Sequence, residues 1–249
     1  MRNYIYIFLF AILSGCDTDS GIDCFKLSGD IFQEEIELSF FDKVNVGHRV
    51  QLFIKQGTEQ HVILETGENM RKKVTLSVSE NRLHIENGDN CNLVRDYGIT
   101  KVFITVPDLS EIRNSSGLTI EGQGVLAFPD ITLLSEDTHN EDSYNTDGDF
   151  ILDLQSETLT IVANGISNFF LSGTVTTANL GLYSGDSRLE AQNLIIEDLT
   201  LFHRSSNKMF VNPQQSIRGE IRSTGDVISL NQPPIVEVEE FYTGRLIFQ

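Results

Sequence analysis

The densest group of side chains that could do chemistry is a run of acidic residues between positions 136 and 149. Six carboxylates occur in this run, and they are Glu136, Asp137, Glu141, Asp142, Asp147 and Asp149. Carboxylate oxygens suit a hard cation such as Ca²⁺. The run departs from an EF-hand loop, because Ser143 stands at the first Asp position and Leu154 at the bidentate Glu position. We interpret it as a solvated loop and a candidate binding loop, with a calcium site as the alternative.

A second arrangement is a pair of glutamates, Glu220 and Glu239, which the repeat described below places on neighbouring coils. Glycan cleavage needs two carboxylates roughly 5–9.5 Å apart, and neighbouring strands would hold this pair about 4.8 Å apart. No column of Arg, Lys or His clearly accompanies the pair. Two exposed glutamates are therefore the favoured interpretation, and a glycan-cleaving site is the alternative.

The histidines and serines form no recognisable catalytic motif. The sequence lacks a Gly-x-Ser-x-Gly elbow, a Gly-x-Gly-x-x-Gly loop and a Walker sequence. His203 stands where the other repeats mostly carry a small or polar residue, and a packed or surface histidine is the simplest interpretation. We therefore predict no catalytic residue, no metal site and no cofactor.

The first sixteen residues predict export followed by attachment to a membrane. One positive charge at Arg2 precedes an apolar run over 4–13 and the small residues Ser14 and Gly15, as in a secretory signal peptide over residues 1–15. The segment 13–16, Leu-Ser-Gly-Cys, resembles the bacterial lipobox, in which the Cys thiol is acylated. Lipidation of Cys16 would anchor the chain stably. Residues 16–35 are then an acidic tether, and the outer membrane is the favoured location, with the exposed face left open.

Charge and cysteine content follow from that expectation. Without residues 1–15 the chain keeps 17 basic and 36 acidic residues, a net charge of 17 − 36 = −19. This balance excludes general nucleic-acid binding, which needs positive charge. Cys24 and Cys91 would share an oxidising compartment, so a disulfide is the default prediction and two free thiols are the alternative.

Residues 36–106 alternate between apolar and polar side chains. Such alternation, broken by Gly, Asn and Asp, predicts half-buried strands. The clearest runs are 44–46, 50–54, 62–65, 74–78, 83–85 and 102–106.

From residue 107 the chain repeats itself at a nearly constant interval. One apolar column recurs with steps of 21, 28, 21, 19 and 20, through Ile112, Leu133, Ile161, Leu182, Leu201 and Ile221. A fixed period of roughly 20 residues made of strand and turn predicts a β-solenoid, and parallel crossovers are nearly always right-handed. We predict a single-domain, right-handed parallel β-helix over 36–249. The step of 28 places an excursion at the acidic run, and such loops commonly carry function.

The chain also resembles the auto-transporter adhesin head (GIN domain) family, and specifically a lipoprotein subgroup with two recurring cysteines. The likeness is carried by FFDKVNV at 40–46, VQLFIKQG at 50–57, LHI at 83–85, VFITVPDL at 102–109, IRNSSG at 112–117 and GDV at 225–227. The resemblance implies a β-helix and a role in the cell envelope. It supplies no catalytic residues, and it does not include the acidic run.

Together these observations predict a lipid-anchored, non-catalytic module of the cell envelope that binds a protein or a glycan. Outward columns of Thr, Asn and Ser on a flat parallel face would offer a wide binding surface. A polysaccharide-cleaving enzyme is the alternative function, because similar scaffolds support both roles.

Overall fold

The computed structural model describes residues 24–89, 91–138 and 144–249. All strands belong to one 17-stranded sheet, and within these ranges the only helical element is a 3-10 turn at Arg71–Lys73. The prediction of an all-β chain is therefore confirmed. No helix in the described ranges has the length and apolar character needed to cross a bilayer.

The first seven strands mix parallel and antiparallel pairing. They are β1 (Ile31–Glu35), β2 (Lys43–Val46), β3 (Gln51–Gln56), β4 (His61–Gly67), β5 (Val74–Ser79), β6 (Arg82–Asn87) and β7 (Lys101–Val106). Strand β4 lies antiparallel between β1 and β7, whereas β2 pairs with β6 and β3 pairs with β7 in parallel. Strands β5 and β6 form a hairpin whose turn residues, Glu80 and Asn81, both have positive φ, as a tight hairpin turn requires.

The remaining ten strands pair with one another only in parallel. They are β8 (Glu111–Asn114), β9 (Ile120–Leu126), β10 (Asp130–Ser135), β11 (Phe150–Ala163), β12 (Asn168–Leu182), β13 (Arg188–His203), β14 (Met209–Ile221), β15 (Val227–Ser229), β16 (Ile235–Glu240) and β17 (Leu246–Phe248). Strands β2 and β3 continue this parallel arrangement into the first part of the chain by pairing with β8 and β9.

The predicted repeat appears as the register of the long strands. Phe150 pairs with Phe169, Phe169 with Leu189 and Leu189 with Met209, so the register advances by 19, 20 and 20 along the chain. All four side chains are buried. The rings of Phe150 and Phe169 stack with their centroids 4.8 Å apart. Like residues therefore align from strand to strand and fill one continuous core.

The predicted apolar column drifts by two residues at two of its positions. Ile161 pairs with Leu180 and not with Leu182, and Leu201 pairs with Gly219 and not with Ile221. Side chains two apart on a strand point to the same face, so the predicted residues are buried but belong to the next column. Gly219 has φ +128°, and a Cβ there would lie 1.8 Å from the Leu201 carbonyl oxygen. The sequence pattern missed this position because it carries no side chain.

The long strands change partners along their length. The first half of β11 pairs with β9, whereas its second half pairs with β10. Strands β12 and β13 pair with their neighbours over both halves. Within the first half, the register shifts at Leu152 of β11 and at Leu171 of β12, and we call this place the bend.

The N-terminal boundary of the sheet differs from the prediction. Residues 31–35, which we assigned to the acidic tether, form β1 and pair with β4. Cys24 is joined to Cys91 by a disulfide, so the predicted bridge is confirmed. The sheet therefore includes part of the predicted tether. Cys16 and the predicted signal peptide lie outside the described residues.

Candidate functional site

The acidic run leaves the sheet after β10 and returns at β11. Glu136, its first member, is held by Arg113, whose Nη2 lies 2.6 Å from Glu136 Oε1 and whose Nη1 donates to the Glu136 carbonyl at 2.6 Å. Partial burial raises the pKa of Glu136, but hydrogen bonds from Arg113 and Thr138 outweigh it and leave the pKa below its ordinary value. Arg113 also lies over the Tyr144 ring, 4.7 Å from its centroid. Glu136 therefore closes the loop and is not free for a ligand.

Two further predicted carboxylates also hold neighbouring strands together. Asp137 Oδ1 accepts a hydrogen bond from Asn164 Nδ2 at 2.8 Å. Asp149 Oδ1 accepts from the backbone N of Asn168 at 2.8 Å and from its side chain at 2.9 Å. In both cases the asparagine lies one repeat further along the chain, so the two aspartates link successive repeats.

The rest of the acidic run offers little to a cation in the described residues. Asp147 is exposed and contacts the turn at Gly117. Glu141 and Asp142 lie outside the described residues. Within the ranges that the structure describes, no three acidic, His or Cys side chains come together as a metal site would need. The described part of the loop thus gives the calcium alternative no support.

The glutamate pair has the predicted register, and Arg222 engages one of its two carboxylates. Glu220 and Glu239 are direct partners on β14 and β16. Glu220 accepts a hydrogen bond from Arg222, and this bond lowers the Glu220 pKa from its ordinary value. A general acid in glycan cleavage needs a raised pKa. The sequence analysis missed Arg222 because it lies in the turn after β14, outside the strand columns.

The His203 side chain points into the core and not to solvent. It stands between Leu182 and Ile221 in one inward column and is fully buried. Neither ring nitrogen has a hydrogen-bond partner among the described residues. Burial lowers the pKa of His203 to about 4, although nearby backbone groups act in the opposite direction. Because the imidazole is enclosed, an external substrate cannot reach it.

One outward face of the sheet carries the polar column that the sequence predicts. Thr132, Thr160, Asn179 and Thr200 are successive register partners on β10, β11, β12 and β13. Beside this column the Tyr183 ring stacks on Phe202 at 5.1 Å, and Tyr183 is 46% exposed. This flat face spans four strands and offers hydroxyl and amide groups to solvent.

A trough at the strand bend is the feature that sequence reasoning missed. Ile151 pairs with Glu121 and Asp153 pairs with Val125. Between these two pairs β11 has one residue, Leu152, whereas β9 has three. On the other side, β13 has two residues where β12 has one, Leu171. The longer bends of β9 and β13 therefore stand as rims on either side of the shorter bends of β11 and β12. The resulting trough has a volume of about 390 Å³.

The floor and rims of the trough have distinct chemistry. Ile151 and Phe170 are register partners before the bend, and they are 46% and 41% exposed. Asp153 and Ser172 are register partners after the bend. The signal that could reveal the trough is a local change in repeat length, from 20 between Phe170 and Glu190 to 21 between Ser172 and Asn193.

Sequence comparison identifies one family. A family model described as "Putative auto-transporter adhesin, head GIN domain" matches residues 40–233. This range includes both outward surfaces and extends from the second strand to beyond β15. Comparison with curated proteins gives no match.

Three solved structures share the architecture at low sequence identity. A putative adhesin from Bacteroides fragilis superposes with a TM-score of 0.79 at 19% identity, covering 90% of this chain and 100% of that one. A putative adhesin from Parabacteroides merdae gives 0.64 at 11% identity, with 90% and 98% covered. A protein from Parabacteroides distasonis described as a putative lipid binding protein gives 0.63 at 15% identity, with 90% and 99% covered. These identities establish a shared fold and nothing further.

Proposed function

The chain belongs to the auto-transporter adhesin head GIN domain family, and from that membership we propose that it is a non-catalytic binding module of the cell envelope. Its ligand is a protein or a glycan. The observation that carries the proposal is the outward polar column through Thr132, Thr160, Asn179 and Thr200, which aligns on four successive parallel strands. Regular stacks of this kind present extended binding surfaces.

We also propose that the parallel strands form a right-handed β-helix. The steps of 19 and 20 between register partners support one coil per repeat. The handedness follows from the general preference of parallel crossovers. An experimental structure in which the crossovers between β11 and β14 are left-handed would contradict this part of the proposal.

A lipid on Cys16 is the proposed attachment to the membrane. It is supported by the signal-peptide pattern of residues 1–15 and by the lipobox-like segment 13–16. Export also agrees with the Cys24–Cys91 disulfide, because such bonds persist in oxidising compartments. The outer membrane is the proposed location.

Metabolic labelling tests the anchor. Cells supplied with an alkyne fatty acid should label the native protein and the Cys24→Ser, Cys91→Ser double variant, but not Cys16→Ser. The double variant is the matched control, because it removes two cysteines without touching the lipobox. Label that persists in Cys16→Ser contradicts the anchor. Protease added to intact cells then distinguishes a surface-facing module, which is cleaved, from a periplasmic one, which is protected.

The glycan-cleaving alternative rests on the adjacency of Glu220 and Glu239. Neighbouring strands hold the two residues about 4.8 Å apart, and the lowered pKa of Glu220 favours its charged form. A glycan array combined with a reducing-sugar assay separates the two functions. Binding without new reducing ends supports the binding module. New reducing ends that disappear in Glu220→Gln support the enzyme.

A further inference from the structure

The trough at the strand bend is built by differences in coil length. Strand β9 has Gly122 to Gly124 at the bend, and β13 has Ala191 and Gln192 there. Between these rims, β11 and β12 each pass through the bend with a single residue. Three strand spacings separate the rims, roughly 14 Å. The trough is therefore two strands wide.

A glycine lets β11 and β12 approach each other closely beside the trough. Gly173 has φ +107°, and a Cβ at this position would lie 2.0 Å from the Leu154 carbonyl oxygen. Any other residue would push β12 away from β11 directly after the bend. Gly124 on the β9 rim also has positive φ, +88°, and a Cβ there would meet nothing within 4 Å, so its rim faces open space. Both glycines thus allow the backbone conformation that β9 and β12 adopt next to the bend.

One side of the floor is apolar and exposed. Ile151 and Phe170 are adjacent on β11 and β12, and each leaves more than two fifths of its surface in contact with solvent. Exposed apolar side chains are ordinary when single. Here the two side chains are neighbours between the rims and form one apolar surface. This surface suits an apolar part of a ligand.

The other side of the floor is polar. Asp153, Ser172 and Asn193 are successive register partners beyond the bend. Gln192 also lines the trough from the β13 rim. The polar side is thus rich in acceptors.

The charges of the residues that line the trough disfavour anionic ligands. Asp153 and Glu190 both line it, and the described lining contains no Lys or Arg. Arg188, which lies outside the lining, forms an ion pair with Glu190. An anionic ligand would therefore meet carboxylates in the trough and no cation in its described lining. A neutral ligand with many hydroxyl donors and an apolar face satisfies both sides of the floor.

From this arrangement we propose that the trough binds a neutral glycan. The carbon–hydrogen face of one sugar ring packs on Ile151 and Phe170, and its hydroxyls donate to Asp153 and Asn193. The inference rests on the proposed binding function and specifies where the ligand lies and which chemical class it has. The flat face beyond the bend is then an accessory surface.

Calorimetric titration of the purified mature domain with neutral oligosaccharides, such as gluco-, manno- and xylo-oligosaccharides, tests this site. Phe170→Ala and Asp153→Ala should each weaken binding about tenfold, corresponding to about 1.4 kcal/mol. Phe40→Ala is the matched control, because Phe40 is an exposed phenylalanine that lies outside both the trough and the flat face. It should leave the affinity unchanged. Thermal unfolding of each variant confirms that the domain is folded.

Other outcomes overturn the inference in distinguishable ways. Loss of binding in Tyr183→Ala, with Phe170→Ala unchanged, moves the ligand to the flat face and leaves the proposed function intact. Binding of oligogalacturonate or of a basic peptide at the trough, in place of neutral sugars, overturns the ligand class. A wild-type domain that binds a protein but no neutral sugar overturns the inference of a glycan site and leaves the proposed binding function intact. A domain that binds neither glycan nor protein overturns the proposed function as well.

Discussion

The first seven strands and the later ten are held together by different kinds of contact. In the first part, Asp89 accepts hydrogen bonds from Arg95 Nη2 at 2.6 Å and from Lys73 Nζ at 3.2 Å. The Arg95 and Asp89 side chains are only 2% and 7% exposed. The disulfide between Cys24 and Cys91 spans 67 residues and lies beside this cluster in the chain. In this part, a few charged or covalent links add to the buried apolar core.

The later strands repeat one set of contacts. The turn after each long strand donates a backbone hydrogen bond to the strand before it, as Tyr183 does to Ala163 and Arg204 to Leu182, both at 2.7 Å. One ion pair here, between Arg218 and Glu237, is largely exposed. In a stack of this kind, stability is a sum of similar neighbour terms. A single defect should therefore cost more in the first part than at the edge of the stack.

Removal of Asp89 should have the largest effect. Asp89→Ala deletes a buried carboxylate to which both the Arg95 guanidinium and Lys73 donate, which should cost about 3–5 kcal/mol of unfolding free energy. Glu237→Ala is the matched control, because it breaks an exposed Arg–carboxylate pair in the stack and should cost at most about 1 kcal/mol. Urea unfolding measures both. Equal losses in the two variants would contradict the difference between the regions.

Removal of the disulfide should have the next largest effect. The Cys24→Ser, Cys91→Ser double variant should lose about 4 kcal/mol in the chain-entropy model, since the bridge closes a long loop. Amide hydrogen exchange should show the loss in β1 to β7 and leave β11 to β13 protected. Uniform loss of protection across the sheet would mean that the two regions unfold as one unit.

Acid should weaken the stack through His203. Its pKa is lowered in the folded state to about 4, so the unfolded chain binds the proton more readily. The stabilisation is complete above the unfolded pKa of about 6.5, is lost as the pH falls towards 4, and amounts to about 3 kcal/mol. His203→Leu should flatten this dependence, whereas the exposed His61→Gln should not. A pH profile of unfolding unchanged in His203→Leu would show that another group is responsible.

The elements of the fold could be predicted where one physical rule acts alone. Alternation at 44–46 and 50–54 predicted β2 and β3, because each strand buries alternate side chains. The spacing of turns predicted the interval at which the strands repeat. The column drifted at Leu182 because residues two apart share a face, and only the hydrogen-bond register decides between them.

The candidate site was harder to predict for a different reason. Charge density directed attention to the acidic run, but Asn164, Asn168 and Arg113 occupy three of its carboxylates from neighbouring turns. The trough depends on how many residues each strand uses to pass its bend. That number becomes visible only when strands are aligned in three dimensions, so neither Phe170 nor Gln192 stood out in the sequence.

Co-sedimentation with insoluble neutral glycan tests the central claim most directly, that this domain binds glycan and does not cleave it. The mature domain should leave the supernatant with the glycan while the concentration of reducing ends stays at the level of a protein-free control. A protein that remains in the supernatant of every neutral glycan tested would contradict the claim. So would reducing ends that accumulate with time and return to the control level in Glu220→Gln.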